Sequence, residues 1–185
     1  MQKKGDVWIS AILYFGIGIV IITILLTAGL PVINKLRDKN IIIQTKQVMH
    51  TMDDNIREVI KDGTGSQRVV TVNIKKGTIN VNEVLDEVVW TFQGANIPIS
   101  EPTEREEDDI EVAEGKIFIV TKESAEGGKY DISIILRYRD EDVDIIKGTG
   151  DAGSIAGIGD LTIRNNGISP DDDDKVQVVV SQANA

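Results

Sequence analysis

The sequence predicts an α+β protein, in which one long N-terminal hydrophobic α-helix precedes an antiparallel β-sandwich-like globular domain. Residues 7–34 contain no charged side chain and are dense in Ile and Leu, and an apolar stripe with helical spacing follows them. From Gln67 onward, apolar residues alternate with polar ones, which is the period of a half-buried strand. We therefore divide the chain into a leader (1–5), a long helix (6–62) and a β-domain (63–185).

The uncharged segment 7–34 is long enough to cross a membrane. About 20 apolar residues at a rise of ~1.5 Å span a hydrocarbon core ~30 Å thick, and this segment exceeds that length. A single charge inside it would cost ~2.5–3.5 kcal/mol on insertion scales. The other environment for such a helix is the core of a large soluble protein, but the remaining residues offer nothing that would enclose a helix apolar on every side. The segment therefore indicates burial in a membrane or in the core of a filament.

The second part of the helix, 35–62, is predicted to be amphipathic. A kink or local unwinding is expected near Ala28–Pro31, because proline lacks an N–H and its ring clashes with the carbonyl four residues back. We expect the apolar stripe that follows to dock on the next domain, although a coiled-coil seam with another protein has the same spacing. Asp62 to Gly65 ends the helix, since glycine commonly follows a helix C-terminus. The stripe consists of Ile42, Thr45, Met49, Met52, Ile56 and Val59.

The β-domain is predicted to contain about eight short strands separated by clusters of Gly, Asn, Asp and Pro. Lys75 to Gly77, between the first two strands, is predicted to form a tight turn. No helical period interrupts the strands, so the pattern favours an antiparallel sandwich or barrel over a βαβ arrangement. The predicted strand residues are Val70, Val72 and Ile74; Ile79 and Val81; Val88, Trp90 and Phe92; Ile117 to Val120; Tyr130 to Tyr138; Val143 and Ile145; Leu161 and Ile163; and Val176, Val178 and Val180.

Composition and charge exclude several classes of function. The 185 residues contain no cysteine, which excludes disulfides, thiolate metal sites and cysteine nucleophiles. Residues 1–39 hold five basic and two acidic side chains, a sum of +3, and because the whole chain carries −10, residues 40–185 carry −13. An acidic surface repels nucleic acid, so a polynucleotide partner is not expected.

The chain offers only weak candidates for a catalytic or ligand-binding site. Gly148 to Gly153 has the letters of a dinucleotide-binding loop, but the glycine-rich Ser154 to Gly159 does not favour the helix that such a loop needs. We interpret this region as a flexible loop between strands. His50 is the only histidine and is expected on the helix surface, so a histidine-dependent triad lacks local support and a zinc site would need carboxylates alone.

Three acidic runs lack the spacing of a calcium-binding loop, and we interpret them as solvated loops, with weak binding of divalent cations as the alternative. The two tryptophans have simpler interpretations: Trp8 suits a membrane interface, and Trp90 suits the core. Neither an enzyme, a cofactor nor a metal site is therefore predicted. The acidic runs are 104–109, 140–144 and 171–174.

The leader places two lysines and a glycine, Lys3-Lys4-Gly5, directly before Asp6 and the apolar segment. A Sec-type signal peptide has an apolar core of only ~7–15 residues and then a small-x-small cleavage site. The core here is about twice as long, and its small-residue cluster, Thr27-Ala28-Gly29, is followed by Leu30-Pro31. An uncleaved signal anchor is the other simple interpretation of the leader.

Lys3 to Asp6 with the long apolar helix resembles the class III signal peptide of type IV pilin-like proteins, especially archaeal pilins and archaellins. The resemblance covers the leader and the helix. It implies that a prepilin peptidase cuts between Gly5 and Asp6 on the cytoplasmic side and that the helix then packs against copies of itself. Ser10 stands where bacterial-type pilins carry a glutamate, so a filament of this chain would depend on apolar packing. The implied filament-core residues are Trp8, Ile12, Tyr14, Phe15, Ile19, Ile22, Leu26 and Pro31.

The function that the resemblance implies is that of a structural subunit of an archaeal type IV pilus-like filament on the cell surface, used for adhesion or motility. Its partners would be its own copies in a helical filament, the membrane before assembly, the prepilin peptidase and the pilus assembly machinery. Basic residues flank the apolar segment on both sides, so the positive-inside rule alone does not decide the topology. The short leader and the large acidic domain favour a cytoplasmic N-terminus and an extracellular β-domain. The alternative is an uncleaved single-pass anchor that holds the β-domain outside the cell as an adaptor, stator or ligand-binding module.

Overall fold

The computed structural model describes residues 3–99, 112–114, 116–148, 154–172 and 174–182, and gives only the backbone of 3–7 and 112–114. One helix precedes eight strands in these residues, so the predicted α+β class is confirmed. The chain divides into two compact units, Met1–Arg37 and Asp38–Ala185. The elements are α1 (Lys3–Asp62), β1 (Gln67–Asn82), β2 (Glu87–Ala95), β3 (Val112–Glu114), β4 (Ile117–Glu123), β5 (Tyr130–Arg137), β6 (Val143–Lys147), β7 (Ser154–Ile168) and β8 (Val176–Gln182).

The helix α1 passes through the position of Pro31 without interruption. The local unwinding predicted near Ala28–Pro31 is therefore wrong, and a bend of the axis there stays a prediction. At the other end, Gly63 has φ +91° and its N–H donates to the carbonyl of Ile60, which closes the last turn as predicted.

The described strands form a single hydrogen-bonded sheet, in the order β3-β4-β5-β2-β1-β7-β8-β6. Neighbouring strands are antiparallel except β6 and β8, which pair in parallel. The predicted antiparallel arrangement is thus confirmed for most of the sheet. The alternation in the sequence suggested the strands of a sandwich-like domain, and in the structure these strands are joined in one sheet. They are joined because the long strand β1 pairs with β7 along its first part and with β2 along its second.

The tight turn predicted at Lys75 to Gly77 is wrong, because β1 runs through it. The register of β1 against β7 shifts between Ile74 and Ile79, which makes this stretch an irregularity inside a strand. Gly77 has φ +77°, and a Cβ there would lie 2.3 Å from the carbonyl oxygen of Thr91. Only glycine permits this close approach, so the bulge depends on that residue.

The flexible loop predicted over Ser154 to Gly159 is also wrong. These residues belong to β7 and pair with β1, where Gly157 lies opposite Ile74 and Ile158 opposite Asn73. The rest of the loop, 149–153, lies outside the described residues. The glycines do not prevent pairing, because a neighbouring strand supplies the hydrogen bonds that local propensity alone would not favour.

The core lies between the sheet and the second part of α1. The predicted apolar stripe is confirmed as the docking face, since all six of its residues are buried and the apolar ones join the same cluster as the strand side chains. Trp90 is fully buried in that cluster, as predicted. His50, which is predicted on the helix surface, is half-buried.

Polar contacts fix the helix to the loop after β5. Arg57 forms two hydrogen bonds with the carboxylate of Glu141, at 3.0 and 3.2 Å, and a third with Asp53 at 3.0 Å. The hydroxyl of the buried Tyr138 donates to Asp53 at 2.8 Å. Burial raises the pKa of Glu141, but hydrogen bonds from Arg57 and Lys116 outweigh that effect and hold this pKa below its ordinary value.

The three acidic runs therefore have different outcomes. Asp171, Asp172 and Asp174 are exposed, as expected for a solvated loop, whereas 104–109 lie outside the described residues. The interpretation is wrong for parts of 140–144. Glu141 holds the helix, and Asp144 accepts a hydrogen bond from Ser169 at 2.6 Å.

Candidate functional site

The largest exposed apolar surface of the described chain belongs to the first part of α1. Among the residues that the structure describes, one helix is long and apolar enough to cross a membrane, within Trp8–Asp62, and its most apolar stretch is not buried at all. Trp8, for example, is 74% exposed. Patches of this extent are rare on soluble monomers and mark a surface that a membrane or another protein covers.

The residues predicted to form a filament core lie on this surface. Trp8, Ile12, Tyr14, Phe15, Ile19, Ile22, Leu26 and Pro31 are all exposed. Successive helix positions turn by about 100°, so Trp8, Ile12, Phe15, Ile19, Ile22 and Leu26 lie within one arc of about 80°, and Tyr14 and Pro31 lie outside it. Other exposed apolar residues, including Leu13, Ile17 and Val20, extend the apolar surface to the remaining faces of the helix. The predicted processing site is only partly described: the backbone at Gly5 and Asp6 is helical, and the side chain of Asp6 lies outside the described part.

Two polar side chains within the segment satisfy their hydrogen bonds internally. The hydroxyl of Thr23 donates to the carbonyl of Ile19 at 2.9 Å, and that of Thr27 donates to the carbonyl of Thr23 at 2.8 Å. Hydroxyls bonded to the preceding turn lower the cost of placing threonine in an apolar medium. These two threonines are therefore compatible with burial in lipid or among helices.

A buried ionic site marks where α1 begins to pack on the sheet. Asp38 is 1% exposed, and its carboxylate accepts a hydrogen bond from Lys76 Nζ at 2.9 Å. The backbone N–H and side-chain amide of Asn96 donate to its other oxygen at 3.0 and 2.6 Å. Burial raises the pKa of Asp38, but the hydrogen bonds and the charge of Lys76 outweigh it, so this pKa lies below its ordinary value of 3.8.

This carboxylate is expected to make the stability of the β-domain sensitive to acid. A pKa lowered on folding gives stability that is fully present above the ordinary value of 3.8 and is lost as pH falls through the folded value. Chemical unfolding between pH 6 and about 2.5 should therefore show a smaller acid-induced loss in Asp38→Asn than in the unmodified chain. Asp140→Asn, at a side chain that is 81% exposed, serves as the control and should keep the original loss.

The strand β6 lies at one edge of the sheet, and this edge is poorly suited to pairing with a strand of another chain. The N–H of Ile145 donates to the carboxylate of Asp86 at 3.1 Å, and that of Lys147 donates to Glu83 at 2.8 Å. Both carboxylates come from the turn between β1 and β2. They occupy donors that an added strand would use, and side chains in this position protect an edge from pairing with another chain.

Sequence reasoning found the apolar segment and missed the ionic site. Lys35, Arg37, Asp38 and Lys39 appear in sequence as one solvated charged run. Nothing local indicates that Asp38 alone turns inward, because its partners Lys76 and Asn96 lie far along the chain. Among the residues that the structure describes, no group of three histidine or acidic side chains has the arrangement of a metal site.

Comparisons with protein-family models, with curated proteins and with solved structures found no match to this chain.

Proposed function

We propose that this chain is the structural subunit of an archaeal type IV pilus-like filament on the cell surface, which assembles through residues 7–34 of α1 and serves in adhesion or motility. The observation that carries the proposal is the contrast within one helix. Its second part buries an apolar stripe against the sheet, while its first part leaves apolar side chains exposed on all sides. The first part therefore needs an environment outside its own fold.

Lipid and other copies of the helix both provide that environment, and the segment occupies first the lipid and then the helix bundle. The segment holds the subunit in the membrane, with the N-terminus cytoplasmic and the β-domain outside. After a prepilin peptidase removes Met1 to Gly5, the segment moves into a bundle of identical helices with the help of the pilus assembly machinery. Each large apolar side chain moved from water to an apolar surrounding gains about 1.5–3 kcal/mol, so the exposed surface is sufficient to drive either step.

The second candidate function is an uncleaved single-pass anchor that presents the β-domain as an adaptor, stator or ligand-binding module. The exposed segment supports this candidate equally well, since one lipid-buried helix would cover the same side chains. The two candidates differ in the fate of Gly5 and in self-association.

Mass spectrometry of the protein purified from its own cells tests the choice directly. We expect a mature N-terminus at Asp6, together with helical filaments in electron micrographs of sheared surface material. An intact Met1 to Gly5 with no filaments would instead establish the anchor. A chain that is monomeric in buffer without detergent, with residues 7–34 protected from proteolysis, would contradict both.

A further inference from the structure

An open cleft lies on the β-domain where the irregular part of β1 meets β2. Its volume is about 680 Å³, and its lining includes Thr78, Asn80, Thr91 and Gln93. Thr78 and Thr91 lie directly opposite each other on the two strands. The cleft lies beside the irregularity around Gly77, where the register of β1 against β7 shifts, and its lining residues belong to β1 and β2 and not to a loop.

The polar side chains in this cleft are available to a ligand. No hydrogen bond joins the side chains of Thr78, Asn80, Thr91 or Gln93 to another described residue. Two hydroxyls and two primary amides together offer both donors and acceptors within one concave surface. Such a set is suited to a ligand that carries many hydroxyl groups, since a hydroxyl also donates and accepts.

The charges around the cleft favour a neutral ligand. Among the described lining residues, Lys76 is the one with a charge, and its Nζ lies 2.9 Å from the carboxylate of Asp38. The same Nζ lies 5.0 Å from the centre of the Phe92 ring, which is itself buried. The ammonium is thus ion-paired and in contact with an aromatic ring, and the carboxylate of Asp131, beside the lining, accepts a hydrogen bond from the N–H of Gly94 at 2.9 Å.

We infer that this cleft binds neutral carbohydrate, with Thr78, Asn80, Thr91 and Gln93 as the hydrogen-bonding residues. Carbohydrate binding by a single subunit does not depend on the proposed filament, but a role of this binding in adhesion rests on the proposed function. On a filament, many copies of a weak site would give adhesion through multivalency. An open cleft with neutral hydrogen bonds predicts weak single-site binding, with a dissociation constant of about 1 mM.

The test uses the full chain in a zwitterionic detergent without a sugar headgroup, so that no detergent competes for the cleft. The chain is applied to a surface panel of neutral and acidic oligosaccharides, and retained neutral glycans are then titrated in solution. Thr78→Val/Thr91→Val removes two hydroxyls without changing side-chain shape and should weaken binding by about tenfold or more. Thr162→Val makes the same substitution on a half-exposed position of β7 and should leave binding unchanged.

A second measurement keeps the inference testable if the double variant does not fold. In the unmodified chain, the neutral glycan should shift the amide resonances of Gly77 and Gly94, which also line the cleft. Retention of acidic glycans alone, binding that Thr78→Val/Thr91→Val leaves intact, or no retained glycan would each overturn the inference. Filaments that form without any such binding would leave the proposed function in place, whereas binding by a chain that never assembles would support the cleft alone.

Discussion

Replacing Ile19 and Ile22 with aspartate is expected to abolish filament assembly. Both side chains are exposed in the folded subunit, at 51% and 58%, and lie on neighbouring positions of one helix face. Each charge costs about 2.5–3.5 kcal/mol in a membrane-like interior, so the pair costs about 5–7 kcal/mol per subunit. That penalty corresponds to a loss of more than about a thousandfold in the equilibrium constant for burying the segment, in the membrane or in the filament, so few subunits would reach a filament. Counting filaments in sheared surface material by electron microscopy measures the effect.

The matched control is Ile43→Asp. Ile43 is 55% exposed and lies on the same helix beyond the uncharged segment. The control therefore places a charge at a position as exposed as Ile19 and Ile22. We expect this variant to keep its filaments. If Ile19→Asp/Ile22→Asp assembles normally, residues 7–34 do not form the filament core. If Ile43→Asp is equally defective, assembly depends on charge along the whole helix and not on that segment.

The division of α1 into two parts was predictable from sequence because the two parts have different hydrophobic patterns. A segment without charge over all helix faces cannot be accommodated by one sheet face, whereas a stripe at spacings of three and four residues fits a single face. The same reasoning located Trp90 in the core. Periodicity depends on neighbours a few residues apart, and for these elements the local pattern and the tertiary packing agree.

The errors arise where distant residues decide the structure. Lys75 to Gly77 has the composition of a turn, but pairing on both sides keeps it within β1. Ser154 to Gly159 has the composition of a loop, and the long partner strand makes it part of β7. Lys76, the partner of Asp38, and the cleft beside Gly77 both lie in the stretch where the register of β1 against β7 shifts. Local composition contains no information on the register of β1 against β7, so neither the buried state of Asp38 nor the cleft was predictable.

Replacing Ile56 with alanine is expected to destabilise the β-domain strongly without affecting the uncharged segment. Ile56 is 0% exposed and lies in the core formed by α1 and the sheet. Truncating a fully buried isoleucine removes its transfer free energy and leaves a cavity, at a cost of about 2–5 kcal/mol in the free energy of unfolding. Denaturant unfolding followed by the fluorescence of the buried Trp90, in a Trp8→Phe background, measures this loss.

Ile43→Ala gives the comparison at a matched residue type. Because Ile43 is 55% exposed, its truncation should change the free energy of unfolding by no more than about 0.5 kcal/mol. A similar loss in the free energy of unfolding in both variants would mean that the buried stripe contributes no more to stability than the exposed positions of the helix. A large loss for Ile56→Ala alone establishes that the second part of α1 is committed to its own domain. The apolar surface left for other copies then comes from residues 7–34, which is the condition that the filament proposal requires.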